Sequence, residues 1–195
     1  KNAQPLPSED LKVIPFALRD FHSLRVGSAL DVEISEGDYR VHATIPENLI
    51  KHLIIETRGG ELHLSLKGSV ESTKSIAINV QMPRITRLEA FDACYVQAST
   101  TTSHSLQVQT HGASTVVLYG EGVSTDFNAC DASTIDGSHF SAQLSNCVAS
   151  GAATLETHAT QSIHAKAKDA SSIVIKGRPG VKTTKKDIAA TIHWR

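Results

Sequence analysis

Apolar residues alternate with polar ones at period two through the first part of the chain. Leu24 and Val26 do so, then Leu30, Val32 and Ile34, then Tyr39, Val41, Ala43 and Ile45. Leu62, Leu64 and Leu66 continue it, and then Ile76, Ile78, Val80 and Met82. Successive side chains of a strand point to opposite faces, so this pattern predicts short half-buried strands. No 3.6-residue apolar stripe is sustained, and only Pro46–Ile50 reads as a helical turn. Arg58-Gly59-Gly60-Glu61 separates two alternating runs, and paired glycines reach the positive φ that a tight hairpin needs. Glu36-Gly37-Asp38 predicts a second hairpin. Pro83 closes the last run. Residues 16–87 are thus expected to be short antiparallel strands with one wet face, packed as a cap on the remainder of the chain. Residues 1–15 are expected to be an N-terminal extension.

From residue 88 a longer period takes over. Asp92-Ala93-Cys94-Tyr95-Val96, Gly112-Ala113-Ser114-Thr115-Val116 and Asp131-Ala132-Ser133-Thr134-Ile135 share one form, an Asp or Gly, then Ala, a small residue, any residue and an aliphatic. Gly151-Ala152-Ala153-Thr154-Leu155 and Asp169-Ala170-Ser171-Ser172-Ile173 repeat it. The five alanines stand 20, 19, 20 and 18 residues apart. Five residues before them lie Leu88, Val108, Phe127, Cys147 and Ala165. Each unit reads as strand, bend, second strand and turn. A unit of about 19 residues cannot bury its own face and must stack on its neighbours. Parallel stacking at about 4.8 Å per rung places equivalent residues in columns.

The prediction is an all-β protein: a right-handed parallel β-helix, or solenoid, of about five rungs over residues 88–178. Ala93, Ala113, Ala132, Ala152 and Ala170 are expected in its core repeat. Val116, Ile135, Leu155 and Ile173 are expected to form one inward column, begun by Val96. The competing arrangement is an irregular antiparallel sandwich. Gly177-Arg178-Pro179-Gly180 is expected to end the last rung, and residues 179–195 to form a C-terminal cap strand over Ile188–Trp194. Trp194, Lys182, Lys185 and Lys186 would help cover that end. A coil end is an open sheet edge, so association between copies through it is expected.

Charge sharpens the division. Residues 88–165 hold no Lys or Arg and seven acids, whereas residues 166–195 hold eight basic and two acidic side chains. Over all 195 residues the formal charge is −1, which argues against a nucleic-acid partner bound through bulk charge. No run of 18 apolar residues is present to span a membrane as a helix. Lys1–Glu9 has two prolines and no apolar signal core, which fits a cytosolic chain or a mature form whose leader has been removed. Three cysteines, at 94, 130 and 147, share no Cys-x-x-Cys and no repeat position, so three core thiols and no disulfide are expected.

Several stretches resemble a known family. Phe21–Ser28, Asp31–Gly37, Gly60–Lys67, Ile78–Pro83 with Leu88, and Gly177-Arg178-Pro179 are similar to the bacterial autotransporter-adhesin head GIN domain family. The resemblance runs from about Phe16 to Arg195. Many members carry Gly-Ser-Gly-like repeats where this chain reads Asp-Ala-Cys, Gly-Ala-Ser or Asp-Ala-Ser. The resemblance implies an exported protein of a Gram-negative envelope, in the periplasm, outer membrane or cell surface, built on a β-helix. A lipid anchor in a full-length precursor is also implied. It implies no demonstrated activity.

Candidate chemistry is sparse. Parallel β-helices include polysaccharide lyases and hydrolases, so paired carboxylates matter. Asp136 and Glu156 each lie four residues after their alanine and should be cross-rung neighbours. Asp131 and Asp169 share the corner column with Gly151 between them. Two rungs separate them by about 9.6 Å, near the roughly 6.5–9.5 Å of an inverting glycosidase. Asp at a bend also has a plain structural use, accepting backbone N–H bonds. His139 and His158 fall seven and six residues after their alanines, where they could join Asp136 or Glu156 on a metal or simply occupy exposed turns. Residues 88–165 offer no cation to bind an acidic polysaccharide. No P-loop, Gly-x-Ser-x-Gly, His-Glu-x-x-His or dinucleotide fingerprint is present, and no cofactor is expected. A non-catalytic adhesin or scaffold binding glycan or protein is the preferred reading, and a pectinase-like hydrolase or lyase is the alternative.

Overall fold

The structure is a computed structural model that describes residues 10–68, 70 and 75–195. The first strands in chain order are β1 (Leu11–Phe16), β2 (Ser23–Val26), β3 (Leu30–Glu36) and β4 (Arg40–Pro46). A 3-10 turn over Glu47–His52 leads to β5 (Leu53–Arg58), β6 (Glu61–Leu66), β7 (Ile76–Met82) and β8 (Arg87–Ala90). The long strands β9 (Tyr95–Thr110), β10 (Thr115–Ala129), β11 (Thr134–Ala149) and β12 (Thr154–Ala167) come next. Three short strands finish the chain: β13 (Ser172–Lys176), β14 (Val181–Lys186) and β15 (Thr191–Trp194).

The fold is a β-solenoid. One ladder runs β4-β7-β3-β9-β10-β11-β12-β13-β15, with β1 added on β4. It is parallel from β7 onward and antiparallel only at β1–β4 and β4–β7. A second ladder runs through β5, β6, β2, β8 and then the C-terminal halves of β9 to β12, ending on β14. Each long strand serves both ladders. Inward side chains pack in register. Ile78, Val32, Val96, Val116, Ile135, Leu155 and Ile173 form one column, each no more than 1% exposed. Leu62, Leu24, Leu88, Val108, Phe127, Cys147 and Ala165 form the facing one. Each buried aliphatic contributes about 1.5–3 kcal/mol.

Four expectations from the sequence change here. The strands of residues 16–87 are mostly parallel: β2, β3, β6, β7 and β8 are early rungs of the same coil. Period-two alternation marks any half-buried strand, so it could not separate a coil rung from a hairpin arm. Gly59-Gly60 does join an antiparallel pair, β5 and β6. Glu36-Gly37-Asp38 does not, because β7 lies between β3 and β4. The five repeat alanines are exposed, and the next residue turns inward: Cys94, Ser114, Ser133, Ala153 and Ser171 are buried. Cys130 is half-buried rather than a core thiol, and its Sγ donates to Asn128 Oδ1 at 3.4 Å.

The coil also extends past both expected ends. Ser28-Ala29-Leu30-Asp31-Val32 is an earlier copy of the bend, aligned through Val32 opposite Val96. Beyond Gly177, β14 stacks on β12 and β15 on β13. Strand β1, Leu11–Phe16, takes up the end of the expected extension over 1–15, and residues 1–9 lie outside the described residues. Among the described residues no helix is long and apolar enough to cross a membrane, which leaves strand-built spans aside.

Candidate functional site

The bend column is the first feature that the repeat builds. Ser28, Asp92, Gly112, Asp131, Gly151 and Asp169 all adopt left-handed backbone, with φ between 56° and 69°. Glycine reaches this region at no steric cost, and Asp tolerates it better than most residues. The carboxylates have work besides. Asp92 Oδ2 accepts the Ser28 N–H at 2.8 Å, Asp131 Oδ2 that of Gly112 at 2.9 Å, and Asp169 Oδ2 that of Gly151 at 2.9 Å. Asp187 Oδ2 does the same for the Asp169 N–H. Gly112 and Gly151 space the anions two rungs apart, and a Cβ on either would stand 2.9 Å from the preceding aspartate carbonyl. Inside three of the bends a buried serine holds the turn: Ser114 Oγ donates to His111 O, Ser133 Oγ to Cys130 O, and Ser171 Oγ to Ala149 O of the rung before.

A second feature breaks the regularity. Asp136 pairs with Glu156 and Ser141 with His158, so five steps of β11 oppose two of β12. The excess bulges outward at Gly137-Ser138-His139. Asp136 Oδ1 caps it, accepting the Ser138 N–H at 3.1 Å and its hydroxyl at 2.6 Å. Phe140 pins it from inside, fully buried. Gly137 is required there, since a Cβ would meet the Phe127 ring at 2.7 Å. On the other side His139 stacks on Tyr119, with ring centroids 5.5 Å apart and planes 9° from parallel.

The bulge overhangs an open basin of about 530 Å³ lined by Ser138, His139, Glu156, His158, Lys176 and Arg178, with Arg195 at its edge. Lys176 Nζ donates to Ser138 O at 3.4 Å, and Arg195 lies 3.8 Å from Glu156. Arg178 has no ion-pair partner among the described residues. Gly177 presses the following turn against His158, because a Cβ on it would meet Ala159 O at 2.2 Å. Burial first, and then Lys176, holds His158 below the ordinary histidine pKa. A smaller polar groove of about 290 Å³ beside Thr102, Glu121 and Gln143 contains no cation.

The expected site residues therefore separate by role. Asp131 and Asp169 cap bends, Asp136 caps the bulge, and Glu156 faces the basin beside Arg195. His139 and His158 line one basin, but the bulge leaves them on different cross-rung pairs. Among the described residues no three His, Cys, Asp or Glu side chains are arranged to hold a metal. Lys176, Arg178 and Arg195 escaped the sequence reading. Their signal was the return of basic residues after 165 together with the drop in repeat spacing from 20 to 18.

Residues 20–179 match the family described as putative auto-transporter adhesin, head GIN domain. The chain belongs to that family. The same fold occurs in a putative adhesin from Bacteroides fragilis NCTC 9343, at TM-score 0.81 and 19% identity, covering 98% of this chain and 100% of that one. A putative adhesin from Parabacteroides merdae ATCC 43184 is similar at TM-score 0.61 and 14% identity, covering 98% of this chain and 99% of that one. A structure from Parabacteroides distasonis ATCC 8503, described as a putative lipid binding protein, is similar at TM-score 0.58 and 15% identity, covering 99% and 100%. The comparison with curated proteins found no match.

Proposed function

We propose that the protein is a non-catalytic adhesin or surface scaffold of the bacterial envelope, exported and lipid-anchored in its precursor, that holds a glycan or protein ligand on its coil. The observation that carries this reading is the employment of the carboxylates. Asp92, Asp131 and Asp169 are committed to backbone N–H groups of the preceding rung, and Asp136 to its own bulge. A glycosidase needs one carboxyl to give a proton and a second facing the same bond. Glu156 has no such partner, since Asp136 beside it faces the Ser138 turn and Arg195 neighbours Glu156 itself. What the coil does offer is a rigid ladder with a built basin at its last rungs. In the scaffold form, copies associate through the open end at β14 and β15, where Val181 and Ile188 are exposed.

The test has two readouts. Beads coated with the purified chain should retain host glycoproteins or glycans above uncoated beads. The same protein should release no reducing sugar from pectin, xylan or those glycans. Turnover by the wild type that disappears in Glu156→Gln, with unchanged melting, would replace this reading by the enzyme.

A further inference from the structure

We infer that the basin under the β11 bulge binds a carboxylate-bearing sugar, a uronic or sialic acid unit at the end or within a glycan. The inference rests on the glycan-binding reading above and names the class of sugar.

Three independent features converge on it. The first is charge. The coil from 88 to 165 has no Lys or Arg, yet here the last rungs bring Lys176, Arg178 and Arg195 to a wall that carries only Glu156. The basin thus brings three cations against one carboxylate, at the boundary between the Lys- and Arg-free rungs and the basic last rungs, with Arg178 unpaired among the described residues. An Arg fork and a Lys ammonium are the donors that a carboxylate takes best.

The second is shape. About 530 Å³ lies within the range of small-molecule sites and is larger than one pyranose needs. His139 makes a flat wall, held in place by its stack on Tyr119, against which the apolar face of a sugar ring can lie. Ser138 and His158 add hydroxyl and imidazole groups for ring hydroxyls.

The third is the irregularity itself. Register shifts occur in each pairing of the long strands, and the largest, five steps of β11 against two of β12, lies here, where Asp136, Gly137 and Phe140 hold the excess in a fixed form. Bulges of this kind re-aim side chains and are frequent beside binding sites. Three cations beside one carboxylate disfavour a divalent metal as the occupant.

The experiment titrates the full chain with matched pairs: sialyllactose against lactose, and oligogalacturonate against its methyl ester. Calorimetry or ligand-observed NMR reads the affinity. The acidic member of at least one pair should bind at least tenfold more tightly than its neutral match, and 0.5 M salt should weaken it. The two pairs tell sialic from uronic acid. Lys176→Gln and Arg178→Gln should each weaken the acidic ligand about tenfold. Lys185→Gln, on exposed β14 outside the basin, should leave it unchanged. Equal binding of acidic and neutral sugars, or unaltered binding in the Arg178→Gln and Lys176→Gln variants, overturns the assignment. So does inorganic phosphate that competes at equal affinity, since that would make the basin a general anion hole. If no acidic sugar binds while coated beads still retain host glycoproteins, the sugar class falls and the adhesin reading stands. If neither binds, both fall.

Discussion

Position 131 separates the two jobs of the bend column. Asp131 sits at φ 61° and its carboxylate accepts the exposed Gly112 N–H at 2.9 Å. Asp131→Ala removes both advantages. The lost bond is worth about 0.5–1.5 kcal/mol, and alanine in left-handed backbone bears more of the roughly 1–2 kcal/mol strain that aspartate partly relieves. The total is about 1–3 kcal/mol. For a chain of this size each kcal/mol moves Tm by about 2–4 °C, so the expected fall is roughly 2–12 °C. Asp131→Gly loses the bond but removes the strain, and should cost clearly less, about 0–1 kcal/mol. Asp131→Asn keeps an oxygen acceptor and a residue that tolerates the conformation, and should melt close to wild type. Circular dichroism at 218 nm follows the three variants and the parent through heating at pH 7. If alanine melts with glycine, or glycine is the worst of the three, backbone shape does not explain the column.

Ile135→Ala should cost about 2–4 kcal/mol in urea denaturation, because the side chain is fully buried between Val116 and Leu155; a loss under 1 kcal/mol would contradict the stacked core. Burial pushes the Cys94 thiol up to about 11 and the Cys147 thiol up to about 12, so iodoacetamide at pH 7.5 should label Cys130 alone until the protein is unfolded, as mass spectrometry of peptides would read. His158 has its pKa lowered by burial and by Lys176, so the unfolded chain binds the proton more readily. Its linkage therefore removes stability as pH falls from about 6.5 through the lower folded pKa, and is absent above the unfolded value. His158→Gln should flatten the dependence of Tm on pH in that window, and an unchanged slope would refute it.

Large apolar residues made the coil readable. Val116, Ile135, Leu155 and Ile173 identify the inner column because nothing but burial accounts for aliphatics at one recurring offset. Leu88, Val108 and Phe127 identify the facing column on the same grounds. Small residues carry no such information. Alanine fits a narrow interior and an exposed bend equally well, and the left-handed residue before it decides which way it points. Ser114, Ser133 and Ser171, which the pattern marks only as small, are buried, because each hydroxyl bonds a backbone carbonyl within or below the bend. Ser28-Ala29 escaped notice because it precedes its next stacked copy by 64 residues rather than about 19. The basin exists only in the folded coil. Its parts come from β11, β12, β13 and the last residues, and the bulge that joins them depends on a local mismatch between two rungs.

The carboxylate bonds of the bend column all point the same way along the chain. Asp92 reaches Ser28, Asp131 reaches Gly112, Asp169 reaches Gly151 and Asp187 reaches Asp169, so four of the bends are fastened by a residue made later. A chain emerging N-terminus first from a ribosome or a translocation pore would close each turn only when the next had come through. Its growing tip would bear an unfastened turn and an open strand edge, and the bends at Ser28, Gly112, Gly151 and Asp169 would lock as the next carboxylate arrived. Assembly would then advance like a ratchet, one rung at a time, and a pause in delivery would leave a shorter but finished coil instead of a collapsed one.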